Sequence, residues 1–306
     1  MVLEWREREH EQMDQAAFQS PPTIQALRNS GLYKFFCTSP MRANVRILEF
    51  LVHYWDHDLG MFNIEGETLE MTTQDIYFIT GLSHRGAPVN LEGTGRSGDP
   101  LSVQNYVDVF CRPGTQKKGS SIHIADIQDF TLQVLASTVV RLSGTSGLHH
   151  ATRTQMRVAV DCFRGTLYDW CSGIAPLMKR QLSDCRRGRR KNFGYASILV
   201  AFFFERVPAM SPAIPLEIRH PRQPRLSRWG DIFLRHGGGD IVQSMYDDDF
   251  YTWWERQVPA LEQFPYAGLD FRGDPDLVLP PGGAWGEMGK SFFKFLSLLN
   301  FYKIFQ

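Results

Sequence analysis

The chain has 306 residues and 43% hydrophobic content, which is enough to bury the core of one large domain or two ordinary ones and argues against a disordered chain. Lys plus Arg (33) balance Asp plus Glu (33), so a formal net charge of zero creates no overall field toward nucleic acid or an anionic membrane. The 5 cysteines are widely spaced without a CxxC pair, which favours a reducing compartment and excludes a zinc ribbon.

Three regions are predicted along the chain. Residues 1–29 form a charged N-terminal segment, which begins without the apolar core of a signal peptide, and residues 30–290 form the globular region. Residues 291–306 form an apolar C-terminal helix or tail that packs on the domain or on a partner, with attachment to a membrane surface as the lesser alternative. The most apolar stretch, 198–204, falls far short of the roughly 20 residues that a membrane span needs, so none is expected.

The pattern over residues 41–81 predicts a helix, a hairpin and a second helix. Apolar residues recur at helical spacing over 41–57, which predicts an amphipathic helix with Trp55 on its apolar face. Alternation around Gly66 predicts a small β-hairpin near residues 61–71, with Phe62 directed toward that helix. Thr72 and Asp75 have the spacing of a capping box, and the short helix that follows ends at Gly81.

The remainder is predicted to be mostly helical. A glycine-rich loop over 81–100 precedes helices at 101–110, 124–143, 152–171 and 194–206; the third is predicted to bury Phe163, Leu167 and Trp170. A proline-rich connector follows at 208–224. The fold class expected is therefore a mainly α, multi-helix globular domain with a small β-hairpin.

Two glycine-rich segments resemble phosphate-binding loops. Gly93, Gly95 and Gly98 satisfy GxGxxG, but no buried strand precedes them, which favours a plain loop. The run AWGEMGKS at 284–291 would use Lys290 to neutralise phosphates and Ser291 to hold magnesium. Only a short stretch follows Ser291, without a strand to supply the acidic magnesium ligand, so nucleotide binding is the minor alternative.

No metal site and no cofactor are predicted. His53 and His57 are four residues apart on the predicted helix, but they share a charged face and no third ligand is identified, which favours a solvated surface. His149 and His150 are adjacent and cannot face the same way on a helix, so they have no assigned metal role. No catalytic residue can be assigned from spacing.

One concentrated basic run lies in a predicted loop between helices. It consists of Arg186, Arg187, Arg189, Arg190 and Lys191 around Gly188. Two readings stay open at this point: a nuclear import signal or phosphate-contacting patch, and a plain solvated loop.

The segment Trp55 to Gly86 resembles the plant mobile domain family, also labelled aminotransferase-like. The residues that carry the resemblance are Trp55, Phe62, Gly66, Glu67, Thr72, Asp75, Gly81, Leu82 and Gly86. Gly66 and Glu67 sit one residue early, and Ser83 replaces a frequent proline. A second block, FFFERVPAMSP at 202–212, is similar to the family's aromatic, Glu-Arg and proline block.

The resemblance implies a transposon-associated domain of the kind found in mobile elements and in nuclear host proteins. It implies a role in transposable-element silencing and genome stability, with a phosphatase-like protein as partner. The family has no established active site, so no catalytic residue is carried over. The aminotransferase label lacks support, because no lysine has a recognisable pyridoxal-phosphate context.

Three functions follow in order of preference. The first is a non-catalytic, transposon-derived interaction module in the nucleus, where the resemblance residues serve as scaffold. The second is a nucleic-acid-binding component of a mobile element that uses the basic run. The third is a nucleotide-binding enzyme built on the AWGEMGKS loop.

Overall fold

A computed structural model describes residues 13, 16–38, 45–91, 102–115, 121–143, 149–189, 196–207, 224–229, 261, 263, 265 and 266. Over these ranges the fold is mainly α-helical with a few small sheets, which confirms the predicted fold class. The GxGxxG glycines, the AWGEMGKS run, the C-terminal segment 291–306 and nearly all of the proline-rich connector lie outside the described residues.

The helices and strands alternate irregularly along the chain. In chain order they are α1 (Pro21–Asn29), α2 (Tyr33–Phe36), α3 (Val45–His53), β1 (Trp55–Asp56), β2 (Met61–Ile64), β3 (Glu67–Leu69), α4 (Thr73–Thr80), β4 (Ala87–Pro88), α5 (Val103–Phe110), β5 (Ser121–His123), a 3₁₀ turn (Ile124–Asp126), α6 (Phe130–Ser143), β6 (His150–Thr152), α7 (Arg153–Phe163), β7 (Tyr168–Asp169), α8 (Trp170–Arg186) and α9 (Ala196–Arg206). Within the described ranges no helix has the length and apolar character needed to cross a membrane.

The chain divides into two compact units, each built from separate stretches of sequence. The first unit contains Met1–Phe36 and Leu82–Tyr195, and the second contains Cys37–Gly81 and Ala196–Gln306. The three regions predicted from the sequence, residues 1–29, 30–290 and 291–306, have limits different from those of the two units. That division stays a prediction.

The second unit contains a three-stranded antiparallel sheet in the order β1-β2-β3, so the predicted hairpin is present and gains a third strand. Glu65 and Gly66, with φ of 51° and 85°, form the turn between β2 and β3. Phe62 stands opposite Trp55 on one side and Leu69 on the other. All three side chains are buried, so this row joins the sheet to the core of the unit.

The helix predicted over residues 41–57 was too long. It ends at His53 as α3, and Trp55 lies in β1 rather than on a helical face. Asp56 explains the difference, because its Oδ1 accepts hydrogen bonds from the backbone N–H groups of Asp58 (2.9 Å) and Leu59 (3.0 Å). Such local side-chain bonds compete with helical ones, so the chain turns back and pairs as a sheet.

Both ends of α4 are as predicted. Thr72 and Asp75 form a reciprocal capping box at its start: the Asp75 N–H donates to Thr72 Oγ1 at 3.2 Å, and the Thr72 N–H donates to Asp75 Oδ2 at 2.8 Å. Gly81 ends the helix in the left-handed conformation, with φ of 71°.

The first unit is a helical assembly in which α6 packs against α1 and α7. Its core is formed by apolar side chains from several helices, among them Leu27, Leu132, Leu135, Val139, Met156, Ala159, Trp170 and Ile174. Indole Nε1 of Trp170 donates to the carbonyl of Ser30 at 2.6 Å, which ties the start of α8 to the end of α1.

Two predicted helices of this unit have different boundaries. The helix expected over 124–143 begins as the 3₁₀ turn and becomes α6 only after Asp129, whose Oδ1 accepts from the Leu132 N–H at 3.0 Å. The helix expected over 152–171 ends at Phe163. Gly165, with φ of 92°, breaks the helical backbone there, and Trp170 starts a new helix instead.

This change of direction also corrects the predicted core. Trp170 is fully buried as expected, but Phe163 is 40% and Leu167 is 39% exposed, because they do not share one continuous helical face. Helix α8 itself was not predicted, and its interior Pro176 masks the helical pattern in the sequence.

We expect Gly31→Ala to destabilise the chain more than Gly165→Ala. Both glycines have positive φ (76° and 92°), so each substitution strains the backbone by about 1 kcal/mol. A Cβ at residue 31 would also lie 2.5 Å from Cβ of Ser83, whereas nothing lies within 4 Å at residue 165. The free energy of unfolding from guanidinium titration should therefore fall by about 2–3 kcal/mol for Gly31→Ala. Equal losses would contradict the close packing.

Candidate functional site

Asp75 is the acidic residue of the sequence signature with the most enclosed environment, and its side chain is fully buried in the second unit. Its Oδ2 accepts from the N–H and from Oγ1 of Thr72, at 2.8 Å and 2.7 Å. Its Oδ1 accepts from Nη2 of Arg206 at 2.6 Å. Both carboxylate oxygens are therefore engaged by neighbouring groups of the protein, as a buried charge requires.

Arg206 occupies the last position of α9 and extends the same network. Its Nη1 donates to the carbonyl of Gln263, and its guanidinium carbon lies 5.3 Å from the ring centroid of Phe202 and 6.0 Å from that of Tyr266. A planar cation with several donors can bind a carboxylate, a carbonyl and ring faces at once. Arg206 thus joins α4, α9 and the segment near residue 263.

Glu205 forms a second group of buried charges beside it. Its Oε1 accepts from indole Nε1 of Trp229 at 3.0 Å and lies 3.6 Å from Nη1 of Arg228. Its Oε2 lies 3.2 Å from Nε of Arg225. We call Asp75, Glu205, Arg206, Arg225 and Arg228 the acid–arginine cluster; in it each carboxylate is paired with at least one guanidinium.

Tyr266 lies against this cluster and closes one side of it. Its ring stacks on Phe78 with centroids 4.6 Å apart, and the guanidinium of Arg225 lies 5.7 Å from its centroid. Burial, assisted by the nearby Asp75 carboxylate, raises the pKa of Tyr266 well above its usual value. The phenol therefore stays neutral and contributes packing and cation–π contacts.

The aromatic residues of the signature pack beside the cluster. Trp55 and Phe62 make an edge contact with centroids 4.9 Å apart, and Phe62 lies 5.6 Å from Phe202. The contact between Trp55 and Phe62 was predicted, with the wrong element for Trp55. The two sequence blocks of the resemblance thus meet twice inside one unit, at Phe62 with Phe202 and at Asp75 with Arg206.

Gly66, Glu67, Gly81, Leu82 and Gly86 of the signature are not members of the acid–arginine cluster. Gly66 and Gly81 adopt the turn conformations predicted for them, and Glu67 is exposed on β3. Leu82 and Gly86 belong to the first unit, where Leu82 is fully buried. Gly86 has φ of 116°, and a side chain there would meet the backbone of Leu167.

The basic run starts at the end of a helix. Arg186 is the last residue of α8, and Arg187 and Arg189 follow it; all three side chains are exposed. Arg190 and Lys191 lie outside the described residues. Cations at this end of a helix interact favourably with its dipole, so the run has a local structural explanation as well as a possible binding role.

The prediction that His53 and His57 lie on one helix was wrong. α3 ends at His53, and His57 follows β1, where its Nε2 lies 3.5 Å from Oδ1 of Asp58. Across the described ranges no group of three or more His, Cys, Asp or Glu side chains has the geometry to hold a metal ion.

Glu205 and Arg206 belong to the second block of the resemblance, but no role was predicted for them. A usable signal was present: two charged residues end α9, whose preceding residues are almost entirely apolar, and both are buried. Charges in such a position require partners, and an acidic helix cap such as Asp75 is a suitable one. The partners Arg225, Trp229 and Tyr266 are too distant along the chain to be assigned without coordinates.

Comparison with protein-family models, with curated proteins and with solved structures gave no match to this chain.

The pair Asp75 and Arg206 should show strong energetic coupling. We expect Asp75→Asn and Arg206→Met each to lower the free energy of unfolding by about 3–5 kcal/mol, because each leaves a buried charge without its counter-ion. The double variant should lose less than the sum, with a coupling of about 1–3 kcal/mol. Urea unfolding followed by circular dichroism measures all four states.

The exposed Arg189→Met serves as the control, with an expected change within about 0.5 kcal/mol. Additive losses in the double variant would mean that the two side chains do not interact in solution.

Proposed function

We propose that the chain is a non-catalytic interaction module of transposon origin that acts in the nucleus, in transposable-element silencing and genome stability. The proposal combines the resemblance to the plant mobile domain family with one structural observation. That observation is the engagement of Asp75, the signature's buried acid, by Thr72 and Arg206 inside the second unit.

The chemistry of Asp75 explains why this observation favours scaffold over catalysis. A catalytic carboxylate needs an oxygen within reach of a substrate, whereas both oxygens of Asp75 bind groups of the protein and its side chain is fully buried. Glu205 is likewise enclosed by Arg225, Arg228 and Trp229. Such a network holds a rigid body on which exposed surfaces can recognise other proteins.

The resemblance also suggests the kind of partner, a phosphatase-like nuclear protein. The test immobilises the full chain, incubates it with nuclease-treated nuclear extract, and identifies retained proteins by mass spectrometry. A purified phosphatase-like protein from that set should then bind the chain directly and saturably. A bait carrying Arg186→Ser, Arg187→Ser and Arg189→Ser should retain it equally well, because the basic run is not needed for this function.

Two outcomes would contradict the proposal. One is that no phosphatase-like protein binds directly. The other is nucleotide binding or hydrolysis that Lys290→Ala abolishes, which would favour the enzyme alternative built on the AWGEMGKS loop.

The exposed arginines at the end of α8 and directly after it support nucleic-acid binding as a second candidate. If it is correct, affinity for duplex DNA should fall steeply with salt. Replacing Arg186, Arg187 and Arg189 with serine should reduce the slope of log K against log salt by about 2–3, because each phosphate contact contributes about 0.9. Arg112→Ser, an exposed arginine elsewhere in the first unit, should change the slope little. Equal slopes for the triple variant and the wild type would exclude the basic run as the interface.

A further inference from the structure

The short ribbon formed by β5 and β6 in the first unit carries two histidines directly opposite each other. The register pairs Ser121 with Thr152, Ile122 with Ala151 and His123 with His150. The N–H of Ile124 donates to the carbonyl of His149 at 2.8 Å. This bond flanks the last pair, so His123 and His150 are a non-hydrogen-bonded pair, in which side chains come closest on one face.

The two imidazole rings make an edge contact, and their separation is also one that two ligands of a shared metal ion have. Their centroids are 4.9 Å apart with an interplanar angle of 85°. A metal–nitrogen bond of about 2.0–2.1 Å in tetrahedral geometry puts the centroids of two ligating imidazoles about 5 Å apart. Both side chains are part-exposed, so an ion can reach them from solvent.

A third ring flanks the pair. His149 is stacked on His123, with centroids 6.1 Å apart and planes 14° apart. That separation exceeds the roughly 5 Å between two imidazoles on one tetrahedral ion, so we count His149 as a neighbour and not as a ligand. This agrees with the finding that, where the structure describes the chain, no group of three or more candidate side chains has metal-binding geometry.

We propose that His123 and His150 form a two-imidazole chelate for a divalent transition-metal ion of the zinc class, with water at the remaining positions. Neutral imidazole is a preferred ligand of such ions. No metal role was predicted for His149 and His150, because both were considered on a helix, whereas His150 lies on β6. The chelate ties β5 to β6 across a ribbon of only three residue pairs, so metal binding stabilises the folded first unit.

The test titrates zinc chloride into the reduced full chain by calorimetry, with wild type, His123→Asn, His150→Asn, His149→Asn and the control His53→Asn. The wild type should bind one zinc ion at this site, and its melting temperature should rise with zinc. Either His123→Asn or His150→Asn should weaken that affinity by about a hundredfold, because removal of one arm abolishes chelation. His53→Asn should leave both readouts unchanged.

The role of His149 is decided by the same experiment. Affinity of His149→Asn within a few-fold of wild type supports the two-ligand site, whereas a loss as large as that of His123→Asn overturns it. Absence of zinc binding, or binding that survives both His123→Asn and His150→Asn, overturns the site itself. Circular dichroism of each variant without zinc establishes that it is folded, and neither result depends on the proposed nuclear function.

Discussion

The buried ion pair between Asp75 and Arg206 is the constraint around which the second unit is organised. Asp75 both caps α4 and neutralises the cation that ends α9, so one carboxylate fixes the start of one helix against the end of another. Placing these charges away from water is costly unless every oxygen and guanidinium finds a partner. The surrounding contacts with Thr72, Gln263 and the rings of Phe202 and Tyr266 meet that condition for both oxygens of Asp75 and for Nη1 and Nη2 of Arg206.

Glu205 extends the same principle to residues much later in the chain. Its contacts with Arg225, Arg228 and Trp229 bring the segment 224–229 against α9, and Tyr266 arrives by stacking on Phe78. Polar groups therefore specify which segments meet, while the aromatic row from Trp55 through Phe62 to Phe202 adds close ring packing beside them. The first unit uses different means, chiefly the packing of α6 with α1 and α7 and the indole bond of Trp170 to Ser30.

The arrangement affects function because it determines which side chains can reach a ligand or substrate. The signature side chains Trp55, Phe62 and Asp75 are buried and make contacts within the protein. For this reason we prefer a scaffold with partner-binding surfaces to a catalytic centre. The histidines on β5 and β6 differ, because they are part-exposed and positioned by register rather than by burial. The metal binding that we propose therefore lies at the surface of the first unit and not in the acid–arginine cluster.

Features that depend on a few neighbouring residues follow from the amino-acid sequence alone. The capping box at Thr72 and Asp75, the helix end at Gly81 and the hairpin turn at Gly66 were all predictable, because each is a local hydrogen-bonding or backbone preference. Helix limits near His53 and Phe163 were missed, since the Asp56 turn and the break at Gly165 interrupt a periodic apolar pattern that continues past them. The pairing of Asp75 with Arg206, 131 residues apart, and that of His123 with His150 arise only in the folded chain. Such contacts depend on how distant segments pack and on strand register, which residue spacing along one chain does not encode.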